Sequence, residues 1–235
     1  MTTRTPLERL VAMPEFGPLV LLLLEIALFT AINPTFLSPL NISNTLTFTV
    51  ELGIIALAMT LLMTSGEFDL SVGSMFGFAP VLMWTLFNAN ILPFGAAFLV
   101  AMLVAAAIGL FSGLFVTRLK IPSFLVTLGM LLVVRGTSLY ITDGFPQRTW
   151  SAEGTWLATI LVGDFYVGPF RIYASLFWFI GLAVILGYVL KRTKAGNWIQ
   201  AAGGNPLAAR ARVVKVDMVK REVFMLTASF AGFAG

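Results

Sequence analysis

Glu67 and Asp69, two residues apart in the polar turn Ser65-Gly66-Glu67-Phe68-Asp69-Leu70-Ser71-Val72-Gly73-Ser74, are the nearest this 235-residue chain comes to a pair of acid–base groups. Carboxylates that share a proton must face each other, and at i and i+2 on a helix they diverge by about 200°. An enzyme built here would have little else, because the chain has no histidine and no cysteine. Their absence removes the usual metal ligands, the usual general base and every disulfide. Three more charges, Glu25, Glu51 and Arg135, fall inside long apolar runs. There a charge costs about 2.5–3.5 kcal/mol on insertion scales and faces a protein interior. They are structural partners across a bundle, or else one of Glu25, Glu51, Glu67 and Asp69 is the proton site of an ion-coupled carrier. The chain carries no Gly-x-x-x-x-Gly-Lys-Ser/Thr phosphate loop, so it binds no ATP by that motif.

The elements that must position these groups are membrane spans. Hydrophobic residues make up 58% of the chain and charged residues 11%, with a mean hydropathy of +0.93. That leaves too little polar surface to cover a soluble globule. The expected fold is an all-α polytopic bundle. A hydrocarbon core about 30 Å thick needs roughly 20 apolar residues, and runs that approach or reach that length occur at 17–32, 44–64, 71–87, 94–117, 121–141 and 172–190. A seventh begins at 223 and reaches 235; intact relatives are expected to continue it with further spans. The first run closes at Asn33-Pro34 and is followed by no small-residue cleavage site, so it reads as a retained span.

The net charge of +4 comes from loops beside these runs rather than from a nucleic-acid surface. With the amino terminus inside, the inner loops hold Arg4, Arg9, Arg118, Lys120 and the eight basic residues of 191–221, whereas the outer loops hold Arg148 and Arg171. Positive residues stay cytoplasmic. The expected organisation is a cytoplasmic segment at 1–16, a transmembrane domain at 17–190, a cytoplasmic loop at 191–221 and the start of another span at 222–235.

Two stretches have more specific order. In the Glu67 turn, Gly66 permits the reversal, and Asp69 or Ser71 can cap the following helix. These acids are either caps at the membrane edge or the polar ends of a broken helix lining a transport path. In the second stretch, Gly203-Gly204 breaks the chain direction, Asn205 is a good N-cap and Pro206 suits the first helical position. On the helix that follows, Leu207, Ala211 and Val214 share about one third of the circumference, flanked by Arg210 and Arg212. Such a knob either docks a cytosolic subunit or lies on lipid headgroups. Ala101, Ala105, Gly109 and Gly113 form a flat ridge for tight packing or for a dimer interface. The outer segment 143–171, with Trp150, Trp156 and Tyr166, suits a membrane interface and contact with an extracytoplasmic protein.

Taken together, these motifs resemble the ribose/xylose-type permeases of bacterial ABC importers. Glu67-Phe68-Asp69-Leu70-Ser71-Val72-Gly73-Ser74 is similar to that family's Gly-Gly-Ile-Asp-Leu-Ser-Val-Gly-Ser stretch, with Glu67-Phe68 standing where Gly-Ile is commoner. Ala202-Gly203-Gly204-Asn205-Pro206 and Ala208-Ala209-Arg210 resemble its coupling loop, with Arg212-Val213 in place of Ser-Gly. Ile121 to Gly129, followed by Arg135-Gly136, fits its fifth span. The resemblance implies a fold of about ten helices, a homodimer, a sugar delivered by an extracytoplasmic binding protein, and ATP bound by separate cytosolic subunits. It implies coupling to those subunits through Gly203, Gly204, Asn205, Pro206, Leu207 and Arg210. It also implies a substrate path or gate at Glu67, Phe68, Asp69, Ser71 and Arg135, with nucleosides or amino acids as alternative cargo.

Overall fold

The computed structural model describes residues 12–14, 16–146 and 156–235. Arg4, Arg9, Arg148 and Trp150, which contribute to the expected orientation and aromatic interface, lie outside the described residues. The chain divides into two compact units, one of residues 1–46 with 165–172 and the other of residues 47–164 with 173–235.

The first unit contains α1 (Phe16–Ile32), a 3-10 turn (Pro34–Leu37) and the start of α2 (Pro39–Thr64). Asn33 ends α1 and caps the turn by accepting from the Thr35 amide at 3.0 Å. Phe29 and Phe36 stack across the corner, with centroids 5.4 Å apart. Helix α2 therefore starts five residues before the expected 44, because Pro39 suits the first turn of a helix. Within the same unit, Ser43 Oγ accepts from the Arg171 amide at 3.0 Å.

The second unit carries the rest of α2, then α3 (Val72–Asn88), α4 (Phe94–Arg118), α5 (Ser123–Thr142) and the short α6 (Trp156–Val162). Between α6 and α7 (Ala174–Arg192) the chain forms a two-stranded hairpin, β1 (Asp164–Val167) and β2 (Phe170–Tyr173), whose residues 165–172 belong to the first unit. Three helices follow: α8 (Lys194–Gly204), α9 (Pro206–Ala211) and α10 (Val216–Ala234). The outer segment expected as a loop thus holds a helix and a hairpin. The last helix begins seven residues before the apolar run at 223, because Val216, Val219 and Val223 already lie on one buried stripe.

Helix α10 is the central packing element, seated on α4 and α3. The ridge on α4 is what lets it approach. A methyl group on Gly109 would come within 2.8 Å of Met225 Cα, and one on Gly113 within 2.9 Å of Arg221 Cα. The ridge is therefore used within the chain, as small residues allow helix backbones to meet closely.

Polarity is arranged as a bilayer requires. Asp69, Ser71, Ser112, Thr127 and Thr227 are buried, whereas Leu21, Leu103, Leu132 and Val184 are exposed. Among the described residues, four helices, α2, α4, α5 and α7, are long and apolar enough to cross a membrane. The two shorter apolar helices, α1 and α3, have 17 residues each and reach about 26 Å.

Candidate functional site

Chain reversal between α2 and α3 creates the site. Gly66 adopts φ +83°, in the left-handed region that a side chain disfavours. Ser65 is fully buried and donates from Oγ to the Leu62 carbonyl at 2.7 Å. Asp69 is 2% exposed. Its Oδ1 accepts from the Ser71 amide at 2.7 Å and from the Ser71 hydroxyl at 2.6 Å. Ser71 occupies the N-cap position of α3 but makes no side-chain cap, so its hydroxyl serves Asp69 instead of the helix. Asp69 Oδ2 is buried without a hydrogen-bond partner among the described residues. Burial pushes this carboxyl above its ordinary value, against the lowering effect of the two bonds from Ser71.

That shift carries a pH signature. A carboxyl whose folded pKa exceeds the unfolded value near 3.8 binds its proton more tightly in the fold. Its contribution is most favourable when protonated, and stability falls as pH rises from about 3.8 through the folded pKa. Asp69→Asn keeps an acceptor for Ser71 and removes the charge. Its melting temperature is expected to fall less between pH 4 and pH 7 than that of the original chain.

Two other motifs meet this turn. Ser123, opening α5, accepts on Oγ from the Phe68 amide at 3.3 Å, and Ser74 Oγ donates to the Leu131 carbonyl at 2.9 Å. From α8, Gly203 presses its backbone on the end of α2. A side chain there would strike the Thr64 carbonyl oxygen and come within 3.0 Å of the Gly66 amide nitrogen. The glycines at 66 and 203 are mutually required.

Gly203 and Gly204 lie within α8 rather than breaking it. The break falls at Asn205, whose extended backbone (φ −149°) ends α8 while its Oδ1 accepts from the Ala208 amide at 3.0 Å. The expected change of direction thus falls on Asn205, and the missing side chain of Gly203 serves close contact. Pro206 occupies the first turn of α9. Gly204 and Leu207 are exposed, Leu207 by 79%.

The expected knob is also altered. Helix α9 stops at Ala211, and Val214 turns inward to pack on the core. Val213 takes its place on the surface, 87% exposed. It adopts φ +66°, a left-handed conformation costly for a β-branched residue. Arg212-Val213 occupies the place of the family's Ser-Gly, and the backbone keeps a glycine-like shape there. Val213→Gly is expected to raise stability by about 1 kcal/mol, since strain is relieved and no packing is lost. The denaturation midpoint of the detergent-solubilised chain checks this.

Charge links α9 to the turn. Arg210 Nη2 lies 2.6 Å from Asp217 Oδ1, with Lys120 Nζ at 3.6 Å from the same oxygen. One turn further along α10, Lys220 Nζ pairs with Glu67 Oε1 at 2.5 Å, with side chains 15% and 12% exposed. Arg221 Nε donates to Thr117 Oγ1 at 2.7 Å. Exposed pairs such as Arg210–Asp217 contribute up to about 1 kcal/mol. The Glu67–Lys220 pair is held from water and fixes geometry more firmly.

Of the residues expected at the gate, Glu67, Phe68, Asp69 and Ser71 share this junction, together with Gly203 from the coupling set. Arg135 does not join them. It is exposed on α5, twelve residues beyond Ser123, and forms no ion pair among the described residues. Glu25 is exposed on α1, and Glu51 lines a cavity in the second unit. Lys220, Asp217 and Ser123 were missed as site residues. The stripe Val216, Val219, Val223 signalled that 216–222 is helical, which puts Asp217 and Lys220 on neighbouring turns.

A family model described as "Branched-chain amino acid transport system / permease component" matches residues 41–235. The ribose import permease protein of Escherichia coli K12 is 30% identical, over 94% of this chain and 68% of its own length. The galactose/methyl galactoside import permease protein of the same organism is 33% identical, over 94% of this chain and 69% of its own. An L-arabinose ABC transporter permease protein of Azospirillum brasilense is 32% identical, over 93% and 62%. No solved structure matches. With the family model covering most of the sequence and these relatives aligned along nearly all of it, the chain belongs to the permease family that includes the sugar import permeases of ABC transporters.

Proposed function

We propose that this chain is the membrane-spanning permease of an ATP-driven importer for a simple sugar, moving its cargo by alternating access. The supporting observation is the convergence of the three motifs: the Glu67 turn meets the start of α5 through Phe68–Ser123 and the end of α8 through Gly66–Gly203. The eight basic residues at 191–221 support a cytoplasmic position for this end of the bundle, with the amino terminus on the same side. ATP is bound and hydrolysed by separate cytosolic subunits, which dock on the exposed apolar face of Leu207, Ala211 and Val213 between Arg210 and Arg212. Their closure pushes α9, and Asp217 and Lys220 carry the displacement into α10 and the Glu67 turn. The Ala/Gly ridge of α4 lets α10 slide as a packed unit. A second copy of the permease completes the path, and the segment 143–171 meets the sugar-binding protein outside.

The test is retention of the cognate ATPase by the membrane-extracted chain. Burying one leucine side chain is worth about 1.5–3 kcal/mol, so Leu207→Glu is expected to weaken retention at least ~10-fold. Arg210→Glu should also weaken it, with little change in melting temperature because that pair is exposed. Full retention by both variants would remove α9 as the docking element. No association even by the original chain would point to an ion-coupled carrier.

A further inference from the structure

We propose that this chain binds a monosaccharide directly, in an aromatic cavity around Glu51. The inference rests on the import reading and assigns the permease a cargo site of its own. Thr47, Glu51 and Ile54 lie on one face of α2 and line a cavity of about 490 Å³, inside the range of roughly 300–1,000 Å³ typical of small-molecule sites. Glu51 stands thirteen residues before the end of α2, about 20 Å along the helix from the junction.

The walls are rings. Trp84 and Phe94 have centroids 5.7 Å apart at 54°, and Trp178 and Phe233 are 5.5 Å apart at 82°. Each of these four residues lines the cavity, as does Tyr173. Trp178 is held in place because its indole nitrogen donates to the Ile160 carbonyl at 3.1 Å. Trp84 is braced by Phe87 as well, at 6.0 Å. Rings fixed by their neighbours are preorganised platforms, which lowers the ordering cost of binding.

Glu51 is the unexplained member. Within a bilayer-crossing helix its charge is costly, yet it forms neither a hydrogen bond nor an ion pair among the described residues. Ser175, also in the wall, has a buried hydroxyl without a hydrogen-bond partner among them. Polar groups left in this state call for a partner. A sugar ring matches both features: its C–H face stacks on an indole, and adjacent hydroxyls donate to one carboxylate. Among the described residues, the lining includes no lysine or arginine. An amino-acid carboxylate or a phosphate would therefore find no cation and would meet Glu51 instead.

The experiment titrates D-ribose and D-xylose into the purified chain in nanodiscs, with no ATPase or binding protein present, and follows tryptophan fluorescence. Saturable binding of at least one sugar is expected, with glycine and inorganic phosphate silent. Glu51→Ala should weaken it at least tenfold at unchanged melting temperature. Glu51→Gln, which keeps an acceptor, should weaken it less, and Trp178→Ala should abolish it. Absence of sugar binding by the original chain, or an affinity in Glu51→Ala and Trp178→Ala unchanged from the original, overturns the assignment. So does a signal that follows pH or sodium alone, which would make Glu51 a cation site. The importer reading is judged separately by ATPase retention, so a chain that holds the ATPase and ignores sugar loses this inference only.

Discussion

Lys220→Ala is expected to stop uptake and to destabilise the chain by about 3 kcal/mol, because it strands the Glu67 carboxylate where water reaches it poorly. Glu67→Ala should act in the same direction from the other side. Replacing both partners with apolar residues of similar size removes the stranded charge, so Glu67→Leu with Lys220→Met should melt near the original temperature. If the pair transmits motion from α10 to the turn, that double variant remains folded yet fails to transport. The exchange Glu67→Lys with Lys220→Glu restores the pair and should recover part of the uptake. Melting in detergent and uptake in proteoliposomes, with the ATPase and binding protein present, separate the two effects. Normal uptake by the apolar pair would leave Glu67–Lys220 with a structural role alone.

Gly203→Val is expected to have a second large effect, through sterics rather than charge. Its side chain would have to displace the Thr64 carbonyl and the Gly66 amide, both of them backbone atoms with no rotamer to yield. Overpacking of this kind costs about 1–3 kcal/mol where a core can relax, and a backbone contact gives the upper end. Either α8 lifts from α2, uncoupling ATPase closure from the gate, or the turn at Gly66 shifts and carries Glu67 away from Lys220. Gly204→Val is the control, since the next glycine faces open space. Position 203 should lose uptake and ATPase stimulation, whereas position 204 should lose neither, since its side chain meets open space and valine is no worse a helix former than glycine. Equal behaviour at the two positions would remove the close backbone contact as the cause.

The contrast between those glycines illustrates what was legible beforehand. Gly203-Gly204 read as a break in the chain because glycine is permissive in turns, and nothing local distinguishes that use from close packing. Asn205 and Pro206 were read correctly as cap and first turn, because capping depends on a side chain and backbone within three residues. Asp69 or Ser71 was expected to cap the next helix; Asp69 does accept from a nearby amide, that of Ser71, but the Ser71 hydroxyl donates to Asp69 instead of capping. Val214 was assigned to an exposed face by extending helical periodicity past the point where α9 ends. The left-handed backbone at Val213 stops the helix there, against that residue's own preference.

The sequence alone determined the class of molecule, its apolar runs, and three motifs whose order marks the family. Each of these is a sum over neighbouring residues, as hydropathy accumulates along a span. Tertiary structure alone decided that Glu67 meets Lys220 across 153 residues, that the α4 ridge belongs to α10, and that Glu51 opens among aromatic rings while Arg135 faces outward. Such pairings depend on which helices neighbour one another and on the rotation of each about its axis. In a bundle whose helices are apolar on nearly every side, periodicity leaves that rotation undetermined, and only packing of large side chains against small ones selects it.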